Sequence, residues 1–210
     1  GQNLSFRNDG ADSDNNLRIR LNKRFVPGEM FTLKIDYHTN FVNQSDPMSI
    51  GGSFGKGLRF MKPTSTSPSK QFQVWSSGEP DHNKYWFPCN EDIADIHTTE
   101  LNATIEKPFI VIGNGKPSGI TTNPDNTRTF HFKTDSPFPN YLVSVVAGNF
   151  SEVSQKSGNT LIHNFGYLHE KEAISATVEL IPDMMKFLEE KTGYAYPFQH
   201  YSQIMVQDYP

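Results

Sequence analysis

From residue 17 to residue 153 the chain keeps returning to short runs in which apolar and polar residues alternate one by one. A period of two puts the apolar side chains on one face of an extended strand, so a chain made of such runs must pair them into sheets. In LRIRLNKRF (17–25), Leu17, Ile19 and Leu21 share a face; in MFTLKIDYH (30–38), Phe31, Leu33, Ile35 and Tyr37 do. The Pro27-Gly28-Glu29 turn between them predicts a hairpin, and Asp9-Gly10 offers an earlier turn. Residues 41–70 are rich in Gly, Ser, Thr and Pro and read as loop around the run LRFMK. QFQVWS (71–76) is a strand. TTELNATIEKPFIVIGNG (98–115) gives two more with a turn at Asn114-Gly115, and RTFHFKT (128–134) and NYLVSVVAGNFSEV (140–153) complete the set. The fold class expected is mainly β, an antiparallel sandwich or saddle over residues 1–150.

The pattern changes after residue 150. In EKEAISATVELIPDMMKFLEEKTG (170–193), Ile174, Val178, Ile181, Met185 and Leu188 follow steps of four and three, the signature of one amphipathic helix. Pro182 inside it predicts a kink, and Gly193 after Lys191 predicts the stop. YSQIMVQ (201–207) reads as a strand. A β block followed by a helix and a new strand implies that a second domain starts near 151 and runs to 210.

The formal net charge of −4 offers no basic stripe for nucleic acid. No apolar run is long enough to span a membrane, and no charged and then apolar leader opens the chain. Gly1 leads straight into polar sequence, so the natural ends are expected elsewhere. A single cysteine fits a cytoplasmic or a cell-envelope setting and leaves the compartment open.

Histidines are tested first as metal ligands. HEKEA (169–173) approaches H-E-x-x-H, but Ala173 stands where a second imidazole must lie one helical turn on, so His169 reads as a helix-start residue. His163 lies six residues before it, a spacing that carries little. Cys89, beside Glu91 and Asp92 rather than cations, reads as a small buried hydrophobe and not as a nucleophile. GGSFGKG (51–57) lacks the helix signal a phosphate cradle needs. Of the acidic residues Glu79, Asp81, Glu91, Asp92 and Asp95, only Glu79 has a telling place, between a strand carrying Trp75 and a proline turn; the rest read as solvated or turn-capping. The aromatics alternate along strands and read as core rather than as a sugar platform.

EPDHNKYWFPCNED (79–92), TTELNATIEKPFIVIGNG, YLVSVVAGNF and TGYAYPFQHYSQIMVQDYP resemble, in this order, the aminopeptidase N family of zinc metallopeptidases, which includes leukotriene hydrolase. The resemblance rests on Glu79-Pro80, on Trp86-Phe87-Pro88-Cys89 with Glu91-Asp92, on Gly148-Asn149-Phe150, and on Tyr194-Ala195-Tyr196-Pro197. It covers residues 71–210; the first seventy agree only in β character.

The resemblance implies an amino-terminal β saddle (1–150, without its first strands) followed by the first helix and strand of a thermolysin-like catalytic domain (151–210). The intact protein would use zinc, held by H-E-x-x-H and a further glutamate beyond this chain, to cleave amino-terminal residues from peptides. G-x-M-E-N would follow Pro210. No catalytic residue, zinc or other cofactor is expected within these residues. The implied partners are peptides with a free amino terminus and the chain's own catalytic domain. Glu79 matches the acid that binds the substrate α-ammonium, with Ser77 beside it where relatives often carry Gln. Lys84 replaces a frequent Arg, and Ile93 a frequent Pro. Two other readings are a non-catalytic aminopeptidase-like scaffold for protein interaction and a free-standing β-sandwich binding module.

Overall fold

A computed structural model describes residues 2–8, 16–39 and 57–209. The Asp9-Gly10 turn and the glycine-rich stretch 51–56 lie outside the described residues. The chain divides into two compact units, residues 1–38 and 39–210.

In the first unit β1 (Ser5–Asn8) pairs antiparallel with β2 (Leu17–Arg20), Phe6 opposite Ile19. This corrects the expected hairpin: β2 takes its partner from upstream, and residues 30–38 form no strand and are exposed throughout. Alternation becomes a strand only where a neighbouring backbone completes the ladder and a core covers one face. Among the described residues 30–38 have neither, although the turn at Pro27-Gly28 forms, with Gly28 at φ 86°.

Among its described residues the second unit holds ten strands in three sheets. They are β3 (Gly57–Met61), β4 (Gln73–Ser77), β5 (Glu100–Glu106), β6 (Ile110–Gly113), β7 (Lys116–Thr122), β8 (Thr127–Lys133), β9 (Val145–Gly148), β10 (Phe150–Ser157), β11 (Thr160–Tyr167) and β12 (His200–Ile204). The sheet orders are β3-β4-β9-β6, β5-β8-β7 and β10-β11-β12, all antiparallel except β11 with β12. Mainly antiparallel β structure is therefore what the chain forms. The two strands read in 98–115 both exist, but they separate: β5 pairs with β8 and β6 with β9. Only the second half of 140–148 is strand, since Asn140–Leu142 coil into a single 3₁₀ turn.

The apolar faces close into three adjoining clusters. Val111, Phe130, Phe132 and Ala147 fill the first, and Ile112, Phe150, Phe165 and Tyr167 the second. In the third, Ile162 of β11 is covered by Ile174 of α1 (Lys171–Thr177), Ile181 of α2 (Ile181–Thr192) and Val178 in the turn between them. Two helices here correct the expectation of one kinked helix. Pro182 lies in the first turn of α2, where its missing N–H needs no intrahelical partner, so it starts a helix rather than bending one. Gly193 ends α2 in the left-handed conformation and donates its N–H to the Glu189 carbonyl, the stop the sequence predicts. Beyond the buried positions Leu180, Met184, Phe187 and Leu188 are exposed.

Candidate functional site

The segment from Ser77 to Asp92 forms one tied loop at the end of β4. Its anchor is Trp75, only 1 % exposed, in a strand flanked by β3 and β9. Ser76 Oγ accepts from the Val145 N–H at 2.8 Å and fixes the strand end against β9. Gly78 follows because nothing larger fits: a Cβ there would overlap the Tyr141 carbonyl and the Asn83 amide. The chain then turns, His82 N–H donating to the Gly78 carbonyl at 2.8 Å, through the cis Glu79–Pro80 peptide into a 3₁₀ turn over Asn83–Tyr85.

Asn83 is fully buried and serves as the hub. Its Nδ2 donates to the carbonyls of Asn140 (2.6 Å) and Val143 (3.1 Å), and its Oδ1 accepts from Trp86 Nε1 at 2.7 Å. Glu91 makes the second tie. Its Oε1 accepts from the Lys84 N–H at 2.6 Å and its Oε2 from Asn140 Nδ2 at 2.9 Å. A carboxylate turned inward onto two donors closes the loop at both ends.

Cys89 points its thiol at Glu91 Oε1, 3.5 Å away. Burial, together with the Glu91 charge, pushes that thiol up to about 12, leaving it protonated and inert. Asp92 caps its own turn by accepting from the Ala94 N–H, and Asp95 accepts from Asn90 Nδ2. Asp81 pairs with Lys84 and stands 3.7 Å from His82 Nε2. Residues 86–92 thus form the scaffold turn the sequence suggested, except that Cys89 is half-buried and not the buried hydrophobe expected. His169 sits on the surface beside Glu170, just ahead of α1.

Glu79 differs from all of these. It is exposed, and no hydrogen bond or ion pair holds its carboxylate among the described residues. Ser77, half-buried, is the last residue of β4 two positions earlier, so both candidates share one strand end.

A second element packs on the same strand. After β12 the chain docks on β4: Gln207 N–H donates to the Tyr167 hydroxyl at 3.0 Å, and its carbonyl accepts from Trp75 Nε1 at 3.1 Å. Gln207 Oε1 accepts from the Gln71 N–H at 2.9 Å, and the Tyr209 ring lies 5.1 Å from that of Trp75. Residues 207–209 therefore pack against β4 and the segment just before it, where Asp208 pairs with Lys70. Local sequence motifs could not show this, because the partners are more than 130 residues apart.

Among the described residues no group of three or more His, Cys, Asp or Glu is placed to hold one metal ion. No helix among them is long and apolar enough to cross a membrane.

No family model matches the chain. Among curated proteins it is similar to leucine aminopeptidase 2 of Sclerotinia sclerotiorum, 27 % identical over 157 residues covering 71 % of this chain and 25 % of that protein. A leukotriene A-4 hydrolase homolog of Botryotinia fuckeliana is 28 % identical over 157 residues, 71 % of this chain and 23 % of its own length. Transcription initiation factor TFIID subunit 2 of Drosophila melanogaster is 24 % identical over 157 residues, 72 % of this chain and 13 % of its own length. The chain thus spans an eighth to a quarter of the length of these relatives. The similarities support an aminopeptidase-related region.

Proposed function

We propose that the chain is the amino-terminal part of a zinc-dependent aminopeptidase, its residues 1–150 a β saddle and 151–210 the start of a thermolysin-like catalytic domain. In this reading Glu79 binds the free α-ammonium of a peptide substrate. The observation that carries it is the contrast within one loop: Glu91 accepts from the Lys84 N–H and Asn140, Asp81 pairs with Lys84, and the exposed Asp92 and Asp95 accept local hydrogen bonds, whereas Glu79 is exposed and unengaged among the described residues. Asn83 and Glu91 fix the loop that bears it, so the carboxylate is held at little conformational cost when a cation arrives. Ser77 supplies a second polar group at the same strand end.

In this reading the zinc is held by parts of the enzyme outside these residues. Zinc held by two histidines and a glutamate would supply a bound water of pKa near 7. This chain contributes recognition: a carboxylate facing an ammonium in a partly dry site gives a charge-assisted contact of about 1.5–3 kcal/mol.

A second reading is a non-catalytic scaffold of the same architecture, favoured by the similarity to a TFIID subunit and by the exposed apolar face of α2. The test is turnover of aminoacyl anilides by the full-length protein. Hydrolysis lost to a chelator and restored by zinc supports the aminopeptidase. Absence of turnover with zinc present favours the scaffold.

A further inference from the structure

Glu152 on β10, His163 on β11 and His200 on β12 stand in a line across the sheet. Glu152 Oε1 lies 2.6 Å from His163 Nδ1, and His163 Nε2 lies 3.0 Å from His200 Nδ1. The two ring planes are within 13° of each other and their centres 5.3 Å apart, so the facing nitrogens lie between the rings, as in an in-plane N–H···N bond.

A proton inventory shows what this line can do. Ionised Glu152 only accepts, so His163 Nδ1 carries a hydrogen. With both rings neutral, His163 Nε2 is a bare acceptor and His200 Nδ1 must donate to it. Adding one proton keeps every bond: His163 becomes a double donor, paired with Glu152, and His200 accepts at Nδ1 with its own hydrogen on Nε2. A second proton puts hydrogens on both facing nitrogens. The bond is then lost and two cations meet head to head at 3.0 Å.

The charged groups on this face are few. Register places Lys156 of β10 beside Leu161, which faces His200, and Lys116 of β7 acts on His200 as a further positive charge. Both oppose the second proton. In agreement, burial, then His163 and Lys116, hold His200 below the usual imidazole range. Burial raises Glu152, but hydrogen bonds from Ser154 and His163 outweigh it and keep this carboxyl below its usual range.

We infer that the Glu152–His163–His200 line is a proton-operated latch on β12 and the segment that follows it. β12 pairs only with β11 among the described residues, and His200 is its first residue, opposite Leu161. Residues 205–209, which run past Trp75, continue from this strand. Since His200 is held below its unfolded value, the latch contributes fully above about pH 6.5 and is lost as pH falls through the folded value.

Hydrogen exchange and imidazole NMR on this chain test it. The Met205 amide, which donates to the Phe165 carbonyl, should lose protection relative to β9 amides by about tenfold per pH unit below roughly pH 6, the slope of one linked proton. His200→Gln should keep protection near constant from pH 8 to pH 5. The His200 imidazole should titrate below the usual imidazole range. Protection in the unsubstituted chain that stays within about twofold over that range, or a His200 midpoint at or above about 6.5, overturns the latch. So does a His200→Gln profile that falls like the parent's.

Discussion

The Tyr167 hydroxyl donates to Gln73 Oε1 at 2.7 Å, joining β11 to β4 through a bond buried at both ends. The same oxygen accepts from the Gln207 N–H at 3.0 Å, so one hydroxyl fastens the segment after β12 to the strand that leads to Glu79. Burial pushes this phenol up to about 12, and it remains a donor at any pH at which the fold is used.

Tyr167→Phe should therefore cost about 1–3 kcal/mol, because Gln73 Oε1 and the Gln207 N–H lose a partner in a dry place. Urea denaturation reads the loss. Hydrogen exchange should show residues 205–209 opening more than β6 or β9.

Asn83→Ala leaves the buried Asn140 carbonyl, the half-buried Val143 carbonyl and the Trp86 indole N–H without this partner. A loss of at least about 2 kcal/mol follows. Limited proteolysis should cut first within 79–92, since this hub holds that loop. A variant as stable as the parent would show that the loop is held in some other way.

Gly166 faces Ile174 so closely that a Cβ would overlap its Cδ1. Gly166→Ala should cost about 1–3 kcal/mol by overpacking. Ile174→Val removes that Cδ1 atom, so the double variant should lose less than the sum of the single ones, a coupling measurable by a double-mutant cycle.

Cys89 should resist alkylation at pH 8. With burial and Glu91 pushing its thiol up to about 12, the thiolate fraction is on the order of one in ten thousand, against about a quarter for an unfolded cysteine. Iodoacetamide labelling as fast in the folded chain as in urea would contradict the half-buried, protonated thiol.

Much of this architecture was legible because alternation marks strands that carry a core face. Val111, Phe130, Phe132 and Ala147 all come from runs with that pattern. What failed to show had physical reasons. β7 (KPSGITT) is exposed at every position, so no apolar face marks it. β11 (TLIHNFGY) turns Asn164 and Gly166 to the side of Ile162, the first held by the Val153 carbonyl and Gln155, the second making room for Ile174. Pairing partners were the weakest inference: LRIR and FTLKIDY suggest each other, yet β2 pairs with β1. In the site, Glu79 could be singled out by its place between a strand and a proline. Asn83 and Glu91 could not be recognised as the ties that hold it, since their partners at 140–143 lie about fifty residues on.

The central claim is that Glu79 recognises the free amino group of a peptide. It is tested most directly by kcat/KM of the full-length protein and its Glu79→Gln variant on an aminoacyl anilide, with folding checked by the unchanged midpoint of thermal unfolding. Loss of a contact of about 1.5–3 kcal/mol predicts a fall of roughly ten- to a hundredfold in kcat/KM. An unchanged kcat/KM in a normally folded variant would contradict the account and return Glu79 to the surface turn it occupies.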